Sequence, residues 1–333
     1  MKKLINDPAQ AVSQMLSGMQ HVYPELRYIP EYGVMCRAEK AADKVGLVSG
    51  GGSGHEPAHA GYVGKGMLDA AVCGNVFASP SPDRVLRGIR EANGGKGVLL
   101  IIKNYSGDIM NFEMAQELAT MEDIPVRAVV VRDDVAVKDS TFSTGRRGVA
   151  GTVFVHRIAG AKAERGASLD EVAATAQKVA DNVRSMGLAM MPCTLPGAKS
   201  SNFTLSEDEI GLGIGIHGEP GIETKKADTA ARMTAELLER ILADLDYSIT
   251  DNALMVNGLG GTPLMELYIV ANEAVTQLEA RGIKVSRIFA GNFMTSLEMS
   301  GCSLSLLRMD DEMKSLLDDP CDAPAFRKGG CSL

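Results

Sequence analysis

Short apolar runs alternate with amphipathic stretches along the first half of the chain. Residues 45–49, 97–102 and 126–131 are compact aliphatic runs, the pattern of strands buried on both faces. Between the first two, Ser81-Pro82 opens a helical period that stops before Asn93-Gly94-Gly95, and residues 109–121 predict another helix. Strand, helix and strand in succession mark a parallel βαβ unit. Upstream, Asp7-Pro8 starts a helix running to Met19, with Asp as cap and Pro in the first turn. Downstream, residues 147–165 and 169–186 predict two helices, the second opened by the capping box Ser168–Glu171.

After Gly187 the texture changes. The segment Met191-Pro192-Cys193-Thr194-Leu195-Pro196-Gly197-Ala198 breaks the pattern, so domains are expected at 1–187 and 188–333. In the second, strands are expected at 211–216, 253–257, 284–290 and 303–308. Helices are expected at 227–242 and 264–280, with a short one at the end. The fold class is α/β: two α/β domains, the first with a largely parallel sheet and helices on both faces.

Composition narrows the function classes. With 45% hydrophobic and 23% charged residues among 333, the chain is globular rather than disordered. No apolar run approaches the ~18–20 residues of a membrane span, and MKKLINDPAQ has no apolar segment behind its lysines, so no secretory signal is expected. A net charge of −8 lacks the basic field of a nucleic-acid binder. The six cysteines form no C-x-x-C pair, which together with the missing signal suggests reduced thiols and a cytoplasmic location. Glycine is abundant at 36 residues, and much of it clusters where strands are expected to end.

The first cluster, Ser49-Gly50-Gly51-Gly52-Ser53-Gly54-His55-Glu56-Pro57-Ala58-His59, lacks the lysine of a P-loop and the third glycine of a dinucleotide fingerprint. It does match H-E-x-x-H. Zinc would need His55 and His59 on one helix face, yet Pro57 fits the first helical position and leaves His55 in the preceding loop, so no metal is expected. His55 then either serves a ligand or makes an ordinary loop hydrogen bond. The second cluster, Lys103-Asn104-Tyr105-Ser106-Gly107-Asp108, follows a buried strand and offers a cation and a carboxylate for binding and deprotonating hydroxyls. Asp108 could instead merely cap the helix at Ile109. In the third, residues 211–221, glycines alternate with apolar residues on a strand from which His217 emerges. A neutral imidazole there is a competent nucleophile, and Glu219 could fix its tautomer; a purely structural histidine is the alternative. A fourth cluster, residues 257–263, could bind an anion, support the third, or simply turn the chain. Arg146-Arg147 reads as a solvated turn or a partner contact.

Together the stretches GLVSGGGSGHEPAHAGYVGKGMLDAAVCGNVFASP, IIKNYSGDIMNFEMA, RGVAGTVFVHRIAGA, GIGIHGEPGI, VNGLGGTPLMELYIV and FMTSLEMSGCSLSLL resemble the dihydroxyacetone kinase family, and within it the dihydroxyacetone-binding subunits of DhaK type. The resemblance implies that His217 bonds covalently to the substrate's ketone carbon as a hemiaminal. It implies that His55 and Asp108 act on the hydroxyl to be phosphorylated, and that Gly52, Ser53, Gly54 and Lys103 contact the substrate. It implies no cofactor in this subunit. Mg-nucleotide (ADP/ATP) would sit on a DhaL-type partner, itself recharged by a DhaM-type phosphotransferase protein, because no nucleotide-binding motif is seen before the sequence ends at Leu333. A homodimer is also implied. A dihydroxyacetone-sensing transcriptional coactivator without turnover is the alternative within the same resemblance.

Overall fold

In the computed structural model of the protein, residues 2–138 and 145–329 are described; Cys331 and Leu333 lie outside them. The first sheet contains β1 (Leu26–Ile29), β2 (Val34–Arg37), β3 (Gly46–Ser53), β4 (Ala70–Val76), β5 (Val98–Lys103) and β6 (Val126–Val131), in the order β1-β2-β4-β3-β5-β6. Its last four strands run parallel, and β1 and β2 join antiparallel at one edge. Helices α1 (Ala11–Val22), α2 (Pro82–Ala92), α3 (Ser106–Thr120), α4 (Thr152–Glu164) and α5 (Leu169–Asn182) accompany it.

The second sheet has the order β11-β10-β12-β7-β8-β9, with β7 (Val183–Met191), β8 (Glu209–Leu212), β9 (Glu223–Lys226), β10 (Asp251–Gly258), β11 (Val285–Gly291) and β12 (Ser300–Met309). Only β10 and β11 pair in parallel. Helices α6 (Ala230–Asp244) and α7 (Leu264–Ala280) belong to this half, followed by α8 (Asp311–Asp318) and a hairpin of β13 (Cys321–Ala323) and β14 (Phe326–Lys328).

The apolar faces stack in layers. Val85, Ile89 and Phe112 of α2 and α3 cover one face of the first sheet on Val48, Val72 and Leu100. On its other face, α4 and α5 fill the space between the sheets, and one core includes Leu47 and Ile101 of the first with Met255 and Leu307 of the second. That position explains why α4 is buried nearly all round, from Val153 to Ala163. Leu237, Leu238 and Leu267 of α6 and α7 close the far face of the second sheet.

Several expectations are corrected. The helix expected to Met186 ends at Asn182, because residues 183–191 pair with β12 along eight register positions and tertiary pairing overrides helical periodicity. The 187/188 division therefore falls inside β7. The glycine-alternating strand ends at Leu212; Gly213 turns with φ 71° and the following loop closes on itself, Gly215 N–H donating to the Glu219 carbonyl. No helix begins at Pro57: residues 54–59 are turns. The final hairpin escaped the hydrophobic pattern because its strands are only three residues long. Among the described residues, no helix is long and apolar enough to cross a membrane.

Candidate active site

The carboxyl ends of β3 and β5 meet the 213–221 loop of the second sheet across a cleft of about 400 Å³, lined by Gly52, Phe77, Ser79, Tyr105, Asp108 and His217. Lys103 is the last residue of β5 and is almost wholly buried, and its Nζ has no hydrogen-bond partner among the described residues. Asp108 lies inside the first turn of α3, which begins at Ser106 with Tyr105 at the cap position, so it is not the residue that caps this helix. At Gly51, φ 145°, an added Cβ would lie 3.2 Å from Asp108 Oδ2 and 3.4 Å from Lys103 Nζ. Glycine thus leaves open the space onto which carboxylate and ammonium converge. Burial pushes the Asp108 carboxyl above its ordinary value, against the pull of Lys103, Ser79 and His217. Burial likewise lowers the Lys103 ammonium, opposed by Asp108, Glu219 and Asp133.

Four of the five histidines form two pairs. His55 Nε2 and His217 Nε2 stand 3.1 Å apart, and His59 Nδ1 lies 3.0 Å from His156 Nε2. The H-E-x-x-H match therefore comes apart: His59 turns into the core onto α4, whereas His55, fully buried behind the cleft lining, turns to His217.

The outer nitrogens of the first pair are both committed. His55 Nδ1–H donates to the Thr295 carbonyl at 2.8 Å, and His217 Nδ1–H donates to Glu219 Oε1 at 2.8 Å. Both acceptors lack a proton to give, so both inner Nε2 atoms present lone pairs. Their contact is a hydrogen bond only when a single proton lies between them. Glu219 Oε2 also accepts the His217 backbone N–H at 2.9 Å. A Cβ at Gly215 would collide with that oxygen, which is why the loop carries glycine there. Burial works against ionising Glu219, yet His217 and Arg147 hold its carboxyl down to about 2. Burial, reinforced by Lys103 and His217, lowers the His55 imidazolium well below its usual range. Phe77 stacks on His55, ring centres 5.1 Å apart, and Tyr105 meets His217 edge-on at 4.7 Å.

The remaining expected contacts divide. Gly52 lines the cleft, but the Ser53 hydroxyl donates to the Gly74 carbonyl at 2.7 Å and the Gly54 N–H donates to Glu56 Oε1 at 3.0 Å. Arg147 is not solvated. It is fully buried, paired with Asp134 at 2.6 Å and donating to the Gly213 carbonyl at 2.7 Å, whereas Arg146 pairs with Asp244 nearer the surface. Sequence reasoning missed Phe77, Tyr105 and Thr295. All three lie inside segments quoted above, but nothing in their spacing marks them as facing histidines.

This arrangement sits on a recognised domain. The Dak1 domain matches residues 17–325, so the chain belongs to the Dak1 family. Within it, the chain is 53% identical to the dihydroxyacetone-binding subunit DhaK of PTS-dependent dihydroxyacetone kinase 1 from Listeria innocua, covering 98% of this chain and all of that one. It is 42% identical to the DhaKLM operon coactivator DhaQ of Lactococcus lactis, over 93% of this chain and 95% of that protein. The C. freundii dihydroxyacetone kinase, solved with AMP-PNP and Mg2+, superimposes with a TM-score of 0.92 at 35% identity, over 98% of this chain and 61% of that longer one.

Proposed function

We propose that the chain is the dihydroxyacetone-binding subunit of a dihydroxyacetone kinase and that it holds its substrate as a hemiaminal on His217. The observation that carries this reading is the His217 ring, with Glu219 on Nδ1 and a bare Nε2 beside the cleft that Asp108 lines. A proton taken up from solvent settles on His55 Nε2 and leaves the His217 Nε2 lone pair free. That lone pair bonds to the ketone carbon, the carbonyl π pair moves to oxygen, and the oxygen takes the proton from His55, which returns to its neutral form. His217 becomes an imidazolium whose Nδ1–H stays on Glu219, and its new charge is balanced by that carboxylate. Glycerol has no carbonyl and cannot form this bond, which distinguishes the ketone from a polyol of similar size.

Once C2 is held, a terminal hydroxyl lies toward Asp108 and Lys103. Asp108, its basicity raised by burial, accepts the hydroxyl proton, and Lys103 steadies the oxygen. The phosphoryl group comes from nucleotide on a DhaL-type partner, recharged in turn by a DhaM-type protein. We infer assembly as a homodimer from the resemblance.

Intact-mass measurement with dihydroxyacetone, alongside turnover on reconstitution with DhaL and DhaM, tests the reading. A mass gain lost in His217→Ala, with turnover only in the reconstituted system, is expected. Binding without turnover would point to a sensor of the coactivator kind, and no adduct would remove the covalent step.

A further inference from the structure

The loop after β11 reaches back across the sheet boundary and grips the His55 turn. Leu297 N–H donates to the Gly54 carbonyl at 2.7 Å, Thr295 N–H to the His55 carbonyl at 3.2 Å, and Thr295 Oγ1 to the Glu56 carbonyl at 2.8 Å. The same loop supplies the Thr295 carbonyl that accepts His55 Nδ1–H. From the first half of the chain the Tyr62 hydroxyl also donates to the Phe293 carbonyl at 2.6 Å. From the second half the loop is anchored by Asn257, near the end of β10 and fully buried. Oδ1 accepts the N–H groups of Phe293 and Met294 at 2.8 and 2.9 Å, and Nδ2 donates to the Met294 carbonyl at 2.8 Å and to Ser303 Oγ at 3.1 Å. All four hydrogen-bonding sites of the amide are used, and three of the four bonds fix the peptide units immediately before Thr295.

We propose that Asn257 is a positioning residue for the reaction: by pinning residues 293–294 it aims the Thr295 carbonyl at His55 Nδ1 and so keeps the Nε2 lone pair of His55 turned toward His217. An unpinned loop lets His55 exchange tautomers. A proton fixed on Nε2 would then compete with the one shared across the pair, and His55 would lose the site that takes it up. This also gives the Asn257–Pro263 cluster a role on the first site rather than the third: Leu259 O accepts Ser296 N–H at 2.9 Å, tying the glycine turn to the same loop.

The proposal rests on the functional reading above, but its first measurement does not. In Asn257→Asp the side chain keeps its shape and its acceptor for the two amides, while the donor facing the Met294 carbonyl becomes an acceptor. Nitrogen-15 NMR of the histidine rings in the full chain should show His55 as the Nδ1–H tautomer in the unsubstituted protein and as a mixture in the variant. In the reconstituted kinase, turnover should fall about 10- to 100-fold, the scale of a misplaced catalytic group. In a His55→Asn background, the same substitution should change turnover less than about two-fold, since its effect passes through His55. A retained Nδ1–H tautomer, or an equal loss in both backgrounds, overturns the proposal. If Asn257→Asp does not fold, Asn257→Ser, whose hydroxyl still accepts from one amide, takes its place under the same criteria. No adduct and no turnover in the unsubstituted chain would count against the functional reading instead, with the tautomer measurement still deciding this one.

Discussion

Replacing Glu219 by glutamine keeps the side chain's shape and removes its charge. In the native site Oε1 accepts from His217 Nδ1 and Oε2 from the His217 amide, both within 2.9 Å, with the side chain only 2% exposed. Its carboxyl drops from an ordinary 4.5 to about 2, an interaction favouring the charged form by about 3 kcal/mol. Glutamine has one acceptor oxygen for these two donors, and its amide cannot balance the imidazolium formed when the ketone bonds to Nε2. Losing the charge-assisted bond, with one of the two donors left unpaired, costs about 1.5–3 kcal/mol. The hemiaminal should therefore weaken roughly 10- to 150-fold by the same conversion. Titration of dihydroxyacetone by intact mass, together with KM in the reconstituted kinase, measures this directly. An adduct in Glu219→Gln of undiminished affinity would refute the role of the carboxylate.

Four further outcomes are expected. Asp108→Asn should retain the adduct but lower kcat about 10²- to 10⁴-fold, the usual worth of a general base; undiminished turnover in the reconstituted assay would remove Asp108 from the chemistry. Because burial raises the Asp108 pKa and the base must be unprotonated, the acid limb of kcat against pH should lie above the ordinary aspartate range and vanish in Asp108→Asn. Glu219 has the opposite sign for stability: its depressed carboxyl stabilises the fold above about pH 4.5, and that contribution of about 3 kcal/mol is lost as pH falls toward 2, so urea unfolding of Glu219→Gln should show a weaker acid dependence over that window. Finally, Arg147→Ala leaves Asp134 buried without its partner and should cost about 3–5 kcal/mol, whereas Arg146→Ala, at a partly exposed pair, should cost about 1 kcal/mol or less, both read by urea denaturation.

Much of the first half was legible from pattern alone. Strands over 98–103 and 126–131 and the helix over 82–92 follow from local periodicity and caps, because each buries a face set by its own residues. The helix that should have reached Met186 fails for the complementary reason: Val183 onward becomes a strand only because β12 lies alongside it. His55, Asp108 and His217 could be singled out by their glycine-flanked loops, since a functional side chain at a strand end needs nearby backbone without side chains. What local pattern could not supply is which nitrogen of each ring faces the other. That depends on Glu219 folding back two residues and on a carbonyl at Thr295, 240 residues from His55 in the chain, held by Asn257. Periodicity records burial, and burial is local to an element. The direction of a lone pair is set by hydrogen-bond partners that only the packed tertiary structure brings together.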